Sequence, residues 1–208
     1  FALPLGIYAS RTMYIPVIGD FDFGVWMFMI VPFGVTCAAN SMNMLEGFNG
    51  LSCGLAIIIS TSLIIMSIIN EVHEGLYLLF PLLGALIAFA RFNVFPAKIF
   101  PGDSMTLFVG CTIACASIIN NLKFEGAILF LPMIVEFFLK ARGNFKAQCF
   151  ATEIREDVLV YKGTVESLTH FVMQRYTVDE KKLVYYFWLF ELVLASILIV
   201  FTMFVANR

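Results

Sequence analysis

Long apolar stretches alternate along the chain with short polar gaps. A membrane-spanning helix needs about 20 mostly apolar residues, and five stretches meet or approach that length. A sixth, residues 125–140, is shorter and would span if side chains at its ends reach the headgroups. Residues 1–9 resemble the end of an earlier span. The pattern predicts an all-α, polytopic transmembrane helix bundle of about six spans. The five longer stretches are 23–40, 51–69, 76–92, 104–120 and 183–205.

The composition agrees with lipid as the main solvent. Hydrophobic residues make up 61% of the 208 residues and charged residues 13%, about half the charged share of a soluble domain. The net charge of −2 argues against nucleic acid as a partner. The odd number of cysteines, five, implies no disulfide framework. Residues 1–208 are therefore expected to form a single integral-membrane domain in contact with a lipid bilayer.

Basic residues are concentrated on one set of alternate connections. Segments 41–50, 92–103 and 141–182, with the adjoining helix ends, hold ten Lys and Arg residues, whereas the other connections hold three. Because Lys and Arg are enriched in cytoplasmic loops, these segments are predicted to lie in the cytoplasm and the C-terminus outside. The three residues on the other side are Arg11, Lys123 and Arg208.

The predicted cytoplasmic loop 141–182 is long enough to contain structure of its own. Within it, residues 164–176 read TVESLTHFVMQRY and favour an amphipathic helix at the membrane interface, with His170 on its polar face. Thr177 and Glu180 match a T-x-x-E capping box that would begin the last span. The apolar face of the interfacial helix would carry Leu168, Phe171, Val172 and Tyr176.

The first polar gap, residues 40–51, reads NSMNMLEGFNGL. Asn40 and Asn43 are at helical spacing and could face one cavity, where an asparagine carbonyl can ligate a hard cation. Asn49 precedes a glycine, which is a turn signal. The structural alternative is a capped loop between two helices in which Asn49 is only the turn residue.

The second polar gap, residues 95–108, reads FPAKIFPGDSMTLF and places Asp103 at the start of a helix. A carboxylate there could hold Mg²⁺, which takes one or two protein carboxylates and completes its shell with phosphate oxygens. Free amides at the helix start could bind a phosphate. Phe100 could stack on a flat ring. The structural alternatives are that Asp103 caps the helix and that Phe100 packs at the membrane surface.

Ionisable residues in the C-terminal part give a third group of candidates. A basic cluster beside a membrane contacts anionic lipid or clamps the phosphates of a substrate, and this cluster consists of Lys140, Arg142 and Lys146 near His170. Glu136 precedes Lys140 by four residues, which favours an ion pair on one helix. Glu191 lies inside the last predicted span, where a carboxylate is a functional candidate.

These motifs, in this order, resemble the polyprenyl-phosphate N-acetylhexosamine-1-phosphate transferase family, across nearly all 208 residues. The residues that carry the resemblance are NSMNMLEGFNGL, then FPAKIFPGDSMTLF, then a basic loop ending in SLTHF before the last span. Bacterial members usually read D-G-x-D-G-L where this chain has EGFNGL. Asn49 and the glycine after it are closer to the A-G-I-N-G-L form of the eukaryotic dolichol pathway, and so indicate the archaeal or eukaryotic, dolichyl-phosphate branch.

The resemblance implies roles for individual residues. Asp103 corresponds to a Mg²⁺ ligand, with Mn²⁺ as an alternative ion, and Asn43 to an asparagine beside the metal and the diphosphate. Phe100 corresponds to the phenylalanine that stacks on uracil, and Asn49 to the asparagine that contacts the edge of uracil. A basic loop residue is expected to hold the donor diphosphate; Arg142 is the first match and Lys146 the second.

The chain also departs from the family. A histidine triplet of the bacterial group is represented only by His170, which makes a catalytic role for His170 the weakest of the assignments. An aspartate pair and a lysine from the family's N-terminal half are absent. The chain is therefore expected to be the C-terminal portion of an enzyme of about ten spans, whose missing N-terminal half would be a partner. A homodimer is a further assembly to consider.

The function expected from the resemblance is Mg²⁺-dependent transfer of GlcNAc-1-phosphate from UDP-GlcNAc to dolichyl or another polyprenyl phosphate, with release of UMP. This is the first step of lipid-linked oligosaccharide synthesis. The active site would face the cytoplasm, at the cell membrane or the endoplasmic reticulum membrane. Two alternatives remain: a bacterial-type enzyme that uses UDP-MurNAc-pentapeptide and undecaprenyl phosphate, and a transporter or channel with Glu191 and the asparagines along its path.

Overall fold

The structure, a computed structural model, describes residues 2–16 and 18–206, and that part of the chain is mostly α-helical. Arg208, one of the residues used to predict orientation, lies outside the described part, as does Phe1. The helices are α1 (Leu3–Tyr8), α2 (Met27–Leu45), α3 (Leu51–Ile69), α4 (Leu76–Asn93), α5 (Gly102–Ile119), α6 (Lys123–Leu129), α7 (Leu131–Arg142), α8 (Leu168–Arg175) and α9 (Glu180–Ala206).

Two small antiparallel hairpins complete the described part. Strand β1 (Thr12–Ile15) pairs with β2 (Gly19–Asp22), and β3 (Glu153–Arg155) pairs with β4 (Val158–Val160). Neither pair belongs to a larger sheet. The prediction of an all-α polytopic bundle is confirmed.

Five helices, α2, α3, α4, α5 and α9, are long and apolar enough to cross a membrane, and they coincide with the five longer predicted stretches. The shorter sixth stretch, 125–140, is not among them, because that segment forms two helices, α6 and α7, that are separated at Phe130. Pro132 is near the start of α7. Proline has no N–H with which to continue the hydrogen bonding of α6, so the helix restarts at Leu131.

The α6–α7 pair nevertheless runs from one end of the bundle to the other. At its start, the Lys123 ammonium donates to the carbonyl of Thr12 at 3.1 Å. The neighbouring Asn120 amide reaches the Ser67 hydroxyl near the end of α3 at 2.6 Å. At its other end, the Lys140 ammonium donates to the carbonyl of Met44, shortly before α3 begins. The two ends of α3 are about 28 Å apart at the helical rise.

These contacts define two ends of the bundle. Segments 43–50, 94–101 and 143–179 meet at one end, which we call the motif end. There, the backbone N–H of Asn49 donates to Glu180 at the start of α9 at 2.8 Å. A Cβ added at Gly47 would lie 3.0 Å from the Cβ of Cys149. The opposite end holds 70–75, 120–122 and the β1–β2 hairpin.

The central helix α3 is packed against α9 through its glycines. A Cβ added at Gly54 would lie 2.1 Å from the Trp188 indole, and one at Gly50 would lie 3.4 Å from the same ring. Small residues four apart let helices approach closely in a membrane. This contact holds the start of α9, including Glu180, beside the Asn49 turn.

Candidate active site

Asn43 lies in the last turn of α2, two residues before the helix ends at Leu45. Its side chain is half-buried and has no hydrogen-bond partner among the described residues. Asn40, one turn earlier, is exposed, and its amide donates to the carbonyl of Thr36 at 2.8 Å. Of the two asparagines at helical spacing, Asn43 is the one whose side chain makes no hydrogen bond among the described residues, whereas the amide nitrogen of Asn40 is already bound.

The turn that carries Asn49 is fixed by the last helix. Gly50 has φ of 83°, a left-handed conformation that glycine adopts readily, and α3 begins at the next residue. The Glu180 carboxylate accepts the backbone N–H of Asn49 at 2.8 Å. The predicted Thr177–Glu180 capping box was therefore wrong: the Asp179 carboxylate caps α9 by accepting from the N–H of Lys182 at 2.7 Å.

The loop 94–101 folds back onto the end of α4. The side chain of Asn93 is fully buried and donates to the carbonyl of Ile99 at 3.0 Å. The N–H groups of Lys98 and Ile99 both donate to the carbonyl of Phe92. Phe100, at the end of this loop, is 68% exposed, so its ring is available to a ligand.

Asp103 is the second residue of α5. Its side chain is exposed and has no partner among the described residues. The prediction that it caps the helix is not realised, because α5 begins one residue earlier, at Gly102. The carboxylate is therefore free, at a helix start where the dipole and unpaired amides favour anions.

Helix packing places Asn43 and Asp103 at similar heights in the bundle. Helix α5 crosses α2 where a Cβ added at Gly110 would lie 2.6 Å from the carbonyl oxygen of Ala38 and 2.8 Å from the Cα of Ala39. From that crossing, Asp103 is about 10 Å and Asn43 about 6 Å toward the motif end at the helical rise. The two side chains are therefore not separated by the thickness of the bilayer.

The three residues of the basic cluster differ in whether their side chains are already bound. Lys140 is buried and bound in an ion pair with Glu136 at 3.4 Å, as predicted. Arg142 is exposed and donates to the carbonyl of Val165. Lys146 is exposed, and its ammonium has no partner among the described residues. Lys146 is thus the most available cation of the three for a phosphate.

His170 is not on an exposed polar face. The predicted interfacial helix exists as α8, with Ser167 as its N-cap, but His170 is 1% exposed and stacks on Tyr161 with ring centroids 3.6 Å apart. The N–H of Glu166 is 3.5 Å from its Nδ1, and its Nε2 is buried, with the backbone of Gln148 close enough to the ring to act on its pKa. Phe171 faces outward instead, at 54% exposure. The side chain of His170 supports the loop from inside.

Burial makes the loop sensitive to acid. Desolvation lowers the pKa of His170; a hydrogen bond with the backbone of Gln148 and the nearby carboxylates of Glu136 and Glu166 act in the opposite direction, and Lys140 acts in the same direction. Because the pKa of His170 is lower in the folded protein than in the unfolded chain, the unfolded chain binds a proton first as the pH falls. The stability that comes from the neutral ring is therefore present above the ordinary pKa of about 6.5 and is lost as the pH falls through it. We expect the wild-type protein to lose more thermal stability between pH 7.5 and 5.5 than His170→Phe, which keeps the ring stack. Equal losses would contradict this explanation.

Glu46 is a polar residue of the first motif to which the sequence analysis assigned no role. Its carboxylate accepts the N–H of Ser52 at 3.2 Å, and its other oxygen is buried without a partner in the described part of the chain. Burial raises its pKa. The signal in the sequence that could have identified Glu46 was its position, because bacterial members of the family have an aspartate where this chain has Glu46. Glu191 is likewise fully buried with both oxygens unpartnered among the described residues.

The donor set fits a magnesium ion only in part. Within residues 2–16 and 18–206 no group of three His, Cys, Asp or Glu side chains could hold a metal. Mg²⁺, however, commonly takes one or two carboxylates and keeps water and phosphate oxygens. The free oxygens of Asp103 and Asn43 are hard ligands of that kind, and a bound diphosphate would supply others.

Two pockets are relevant to binding. A pocket of about 120 Å³ beside the motif end is lined by Asn49, Phe95, Lys181 and Trp188, among others, and brings Asn49 next to Phe95 rather than Phe100. A larger apolar groove of about 470 Å³ runs between α2, α5, α6 and α7. It extends from Lys123 at the opposite end to Phe137 and Phe138 near the motif end.

The five long apolar helices, with unbound polar side chains gathered at one end of the bundle, define a helical integral membrane protein. The sequence profile of Glycosyl transferase family 4 matches residues 1–121, and the chain belongs to that family.

Individual relatives extend the similarity over nearly the whole chain. A protein of Saccharolobus solfataricus, provisionally named a UDP-N-acetylglucosamine–dolichyl-phosphate N-acetylglucosaminephosphotransferase, is 34% identical over 204 residues, 96% of this chain. A protein of the same provisional name from Sulfolobus acidocaldarius is 32% identical over 206 residues, also 96% of this chain. The phospho-N-acetylmuramoyl-pentapeptide-transferase of Borreliella burgdorferi is 30% identical over 209 residues, 89% of this chain. The chain spans 63%, 62% and 55% of these relatives' lengths.

Proposed function

We propose that this chain is part of an enzyme that transfers GlcNAc-1-phosphate from UDP-GlcNAc to dolichyl or a related polyprenyl phosphate. The observation that carries the proposal is the meeting of three polar segments at the motif end, with the side chains of Asn43, Asp103 and Lys146 free. The names of the two archaeal relatives support the donor and the acceptor.

The transfer is a displacement at phosphorus. An oxygen of the lipid phosphate attacks the β-phosphorus of UDP-GlcNAc, and the bond from that phosphorus to the bridging oxygen breaks. UMP leaves with the bridging oxygen, and the product is a lipid diphosphate that carries GlcNAc. Both reactants are anions, so most of the catalytic work is to position them and stabilise their charge.

The residues of the motif end supply that positioning. Asp103 and Asn43 would hold Mg²⁺, or Mn²⁺ in its place, which when bound offsets the charge that develops on the departing UMP. Lys146, with Arg142, would hold the diphosphate. Asn49 would hydrogen-bond the edge of the uracil, on a turn fixed by Glu180. We assign His170 a positioning role inside the loop instead of direct catalysis, because its ring is buried.

The apolar groove supplies a path for the acceptor. It lies between α2, α5, α6 and α7, and its wall is almost entirely apolar from Met13 to Phe138. A polyprenyl chain could lie in it while its phosphate approaches the motif end. The distribution of basic residues favours a cytoplasmic location for that end. A complete active site would also use the N-terminal half of the enzyme, where the family has its aspartate pair and lysine.

The donor and acceptor are tested with the purified full-length enzyme. UMP release is measured for UDP-GlcNAc and UDP-MurNAc-pentapeptide, each with dolichyl and with undecaprenyl phosphate. We expect turnover with UDP-GlcNAc and dolichyl phosphate. Preference for UDP-MurNAc-pentapeptide would favour the bacterial-type activity, which the name of the Borreliella relative keeps as a second candidate. Uptake of solute into vesicles without UMP release would favour a transporter.

Phe100→Ala is expected to weaken UDP-GlcNAc binding by roughly 1–3 kcal/mol, the usual effect of losing an aromatic that stacks on a base. Calorimetric titration measures the change. Phe108→Ala is the matched control, because Phe108 is on the same helix as Asp103 and is exposed to a similar extent, 64% against 68% for Phe100. Unchanged affinity in Phe100→Ala would show that the base does not stack on this ring.

A further inference from the structure

A buried ion pair on α7 contacts the end of α2. Glu136 is fully buried, and Lys140 is 9% exposed. The Lys140 ammonium donates to the carbonyl of Met44, and the Cys149 thiol donates to the same oxygen at 3.2 Å. The last carbonyls of a helix have no partner within the helix, and a cation there complements the helix dipole. Lys140 thus caps α2 from a position 96 residues away.

The partner carboxylate contacts the start of α8. Glu136 accepts the N–H of Leu168 at 2.7 Å and the hydroxyl of Ser167 at 3.1 Å. An anion at a helix N-terminus is the complement of a cation at a C-terminus. The ion pair therefore joins the negative end of α2 to the positive end of α8, and each charge stabilises one helix end.

The ion pair also contacts the segment between α7 and α8, through Cys149. The Cys149 thiol is 3.1 Å from the Lys140 ammonium and 3.5 Å from the Glu136 carboxylate. The carbonyl of Cys149 accepts the hydroxyl of Thr169 at 2.7 Å. The segment 143–167, which carries Lys146, is thus fastened to the residue that follows Asn43.

We propose that Glu136 and Lys140 are positioning residues, which hold the segment 143–167 on the end of α2 and so fix Lys146 relative to Asn43. The inference rests on the proposed function for its kinetic consequence, but the fastening itself can be measured without any activity. Neither side chain needs to contact the substrate, since both act through the backbone of neighbouring segments.

The attachment of the segment to α2 is measured by the rate at which the Cys149 thiol reacts with a maleimide. In the full-length protein with every other cysteine replaced, Lys140→Met strands the Glu136 charge in a buried site, which is strongly unfavourable, and we expect the segment to separate from α2. The thiol is 3% exposed, and burial raises its pKa, so it should react slowly with a maleimide in the wild type. We expect the labelling rate to rise at least tenfold in Lys140→Met.

The matched control is Lys162→Met, the same substitution at a lysine of the segment 143–167 itself. Lys162 pairs with Glu153 at 2.9 Å on the surface, where both side chains are exposed, and such pairs contribute little. Its labelling rate and kinetics should equal the wild type. The double variant Glu136→Gln/Lys140→Met leaves no unpaired charge in the buried site, so we expect it to insert at least as well as Lys140→Met. If the single variant does not insert, the labelling rate of the double variant is compared with the wild type instead.

Kinetics separate a positioning role from simple packing. We expect Lys140→Met to raise KM for UDP-GlcNAc at least tenfold, with KM for the lipid acceptor unchanged. Labelling at the wild-type rate would overturn the proposal, and so would faster labelling with an unchanged donor KM. If the wild-type enzyme performs no transfer, the proposed function fails, and the labelling comparison still decides whether the pair fastens the segment.

Discussion

Replacing Asp103 with asparagine is expected to reduce transfer by at least about 1,000-fold in the full-length enzyme. The carboxylate is free at the start of α5, and its replacement by a neutral amide would leave the proposed magnesium site without a carboxylate ligand. A metal ion contributes several kcal/mol to stabilising the transition state, and each 1.36 kcal/mol corresponds to a factor of ten in rate. The measurement is UMP release per enzyme at saturating Mg²⁺.

The fold should tolerate this change. Asp103 is exposed and has no partner among the described residues, so its loss removes only the helix-dipole interaction, about 0.3–1 kcal/mol. The thermal unfolding temperature should change little. Asp20→Asn is the control, since Asp20 is exposed on β2 at the opposite end of the bundle, and it should retain full activity. Wild-type turnover in Asp103→Asn would exclude the metal role.

Asn43→Ala is expected to reduce kcat/KM on the order of 100-fold, the effect typical of losing one group that stabilises charge in a transition state. The structure offers an internal control, because Asn40 is on the same helix one turn earlier. Its amide already donates to Thr36, so Asn40→Ala should keep nearly full activity. A comparable loss in both variants would indicate damage to α2, and no loss in Asn43→Ala would remove Asn43 from the site.

The spans could be predicted from the sequence because a bilayer requires long apolar helices, and five such stretches are visible in this chain. The break between α6 and α7 was harder, although Pro132 was the local signal. Apolar periodicity does not report whether two adjacent helical segments are continuous. The start of α9 was misassigned for a related reason: Glu180 fits a capping box locally, but its carboxylate is used by Asn49, 131 residues earlier.

The setting of a candidate residue could be predicted where it depends only on the neighbouring sequence. Asp103 and Asn43 were candidates of this kind, and the structure shows both as free side chains near helix ends; their roles stay predictions. The environment of His170 could not be predicted, because the ring that stacks on it, Tyr161, directly follows strand β4 of a hairpin that the sequence pattern did not predict. The contact of Lys140 with Met44 could not be predicted either, because it is a tertiary contact for which neither segment carries a local sequence signal.

The most direct test of phosphosugar transfer at the motif end uses UDP-GlcNAc labelled with ³²P at the β-phosphate. The full-length enzyme is supplied with this donor, dolichyl phosphate and Mg²⁺, and the lipid and nucleotide products are separated. We predict that the label moves into the lipid with one UMP released per transfer, and that Asp103→Asn prevents this. Release of labelled UDP, or transfer that persists in Asp103→Asn, would contradict the assignment.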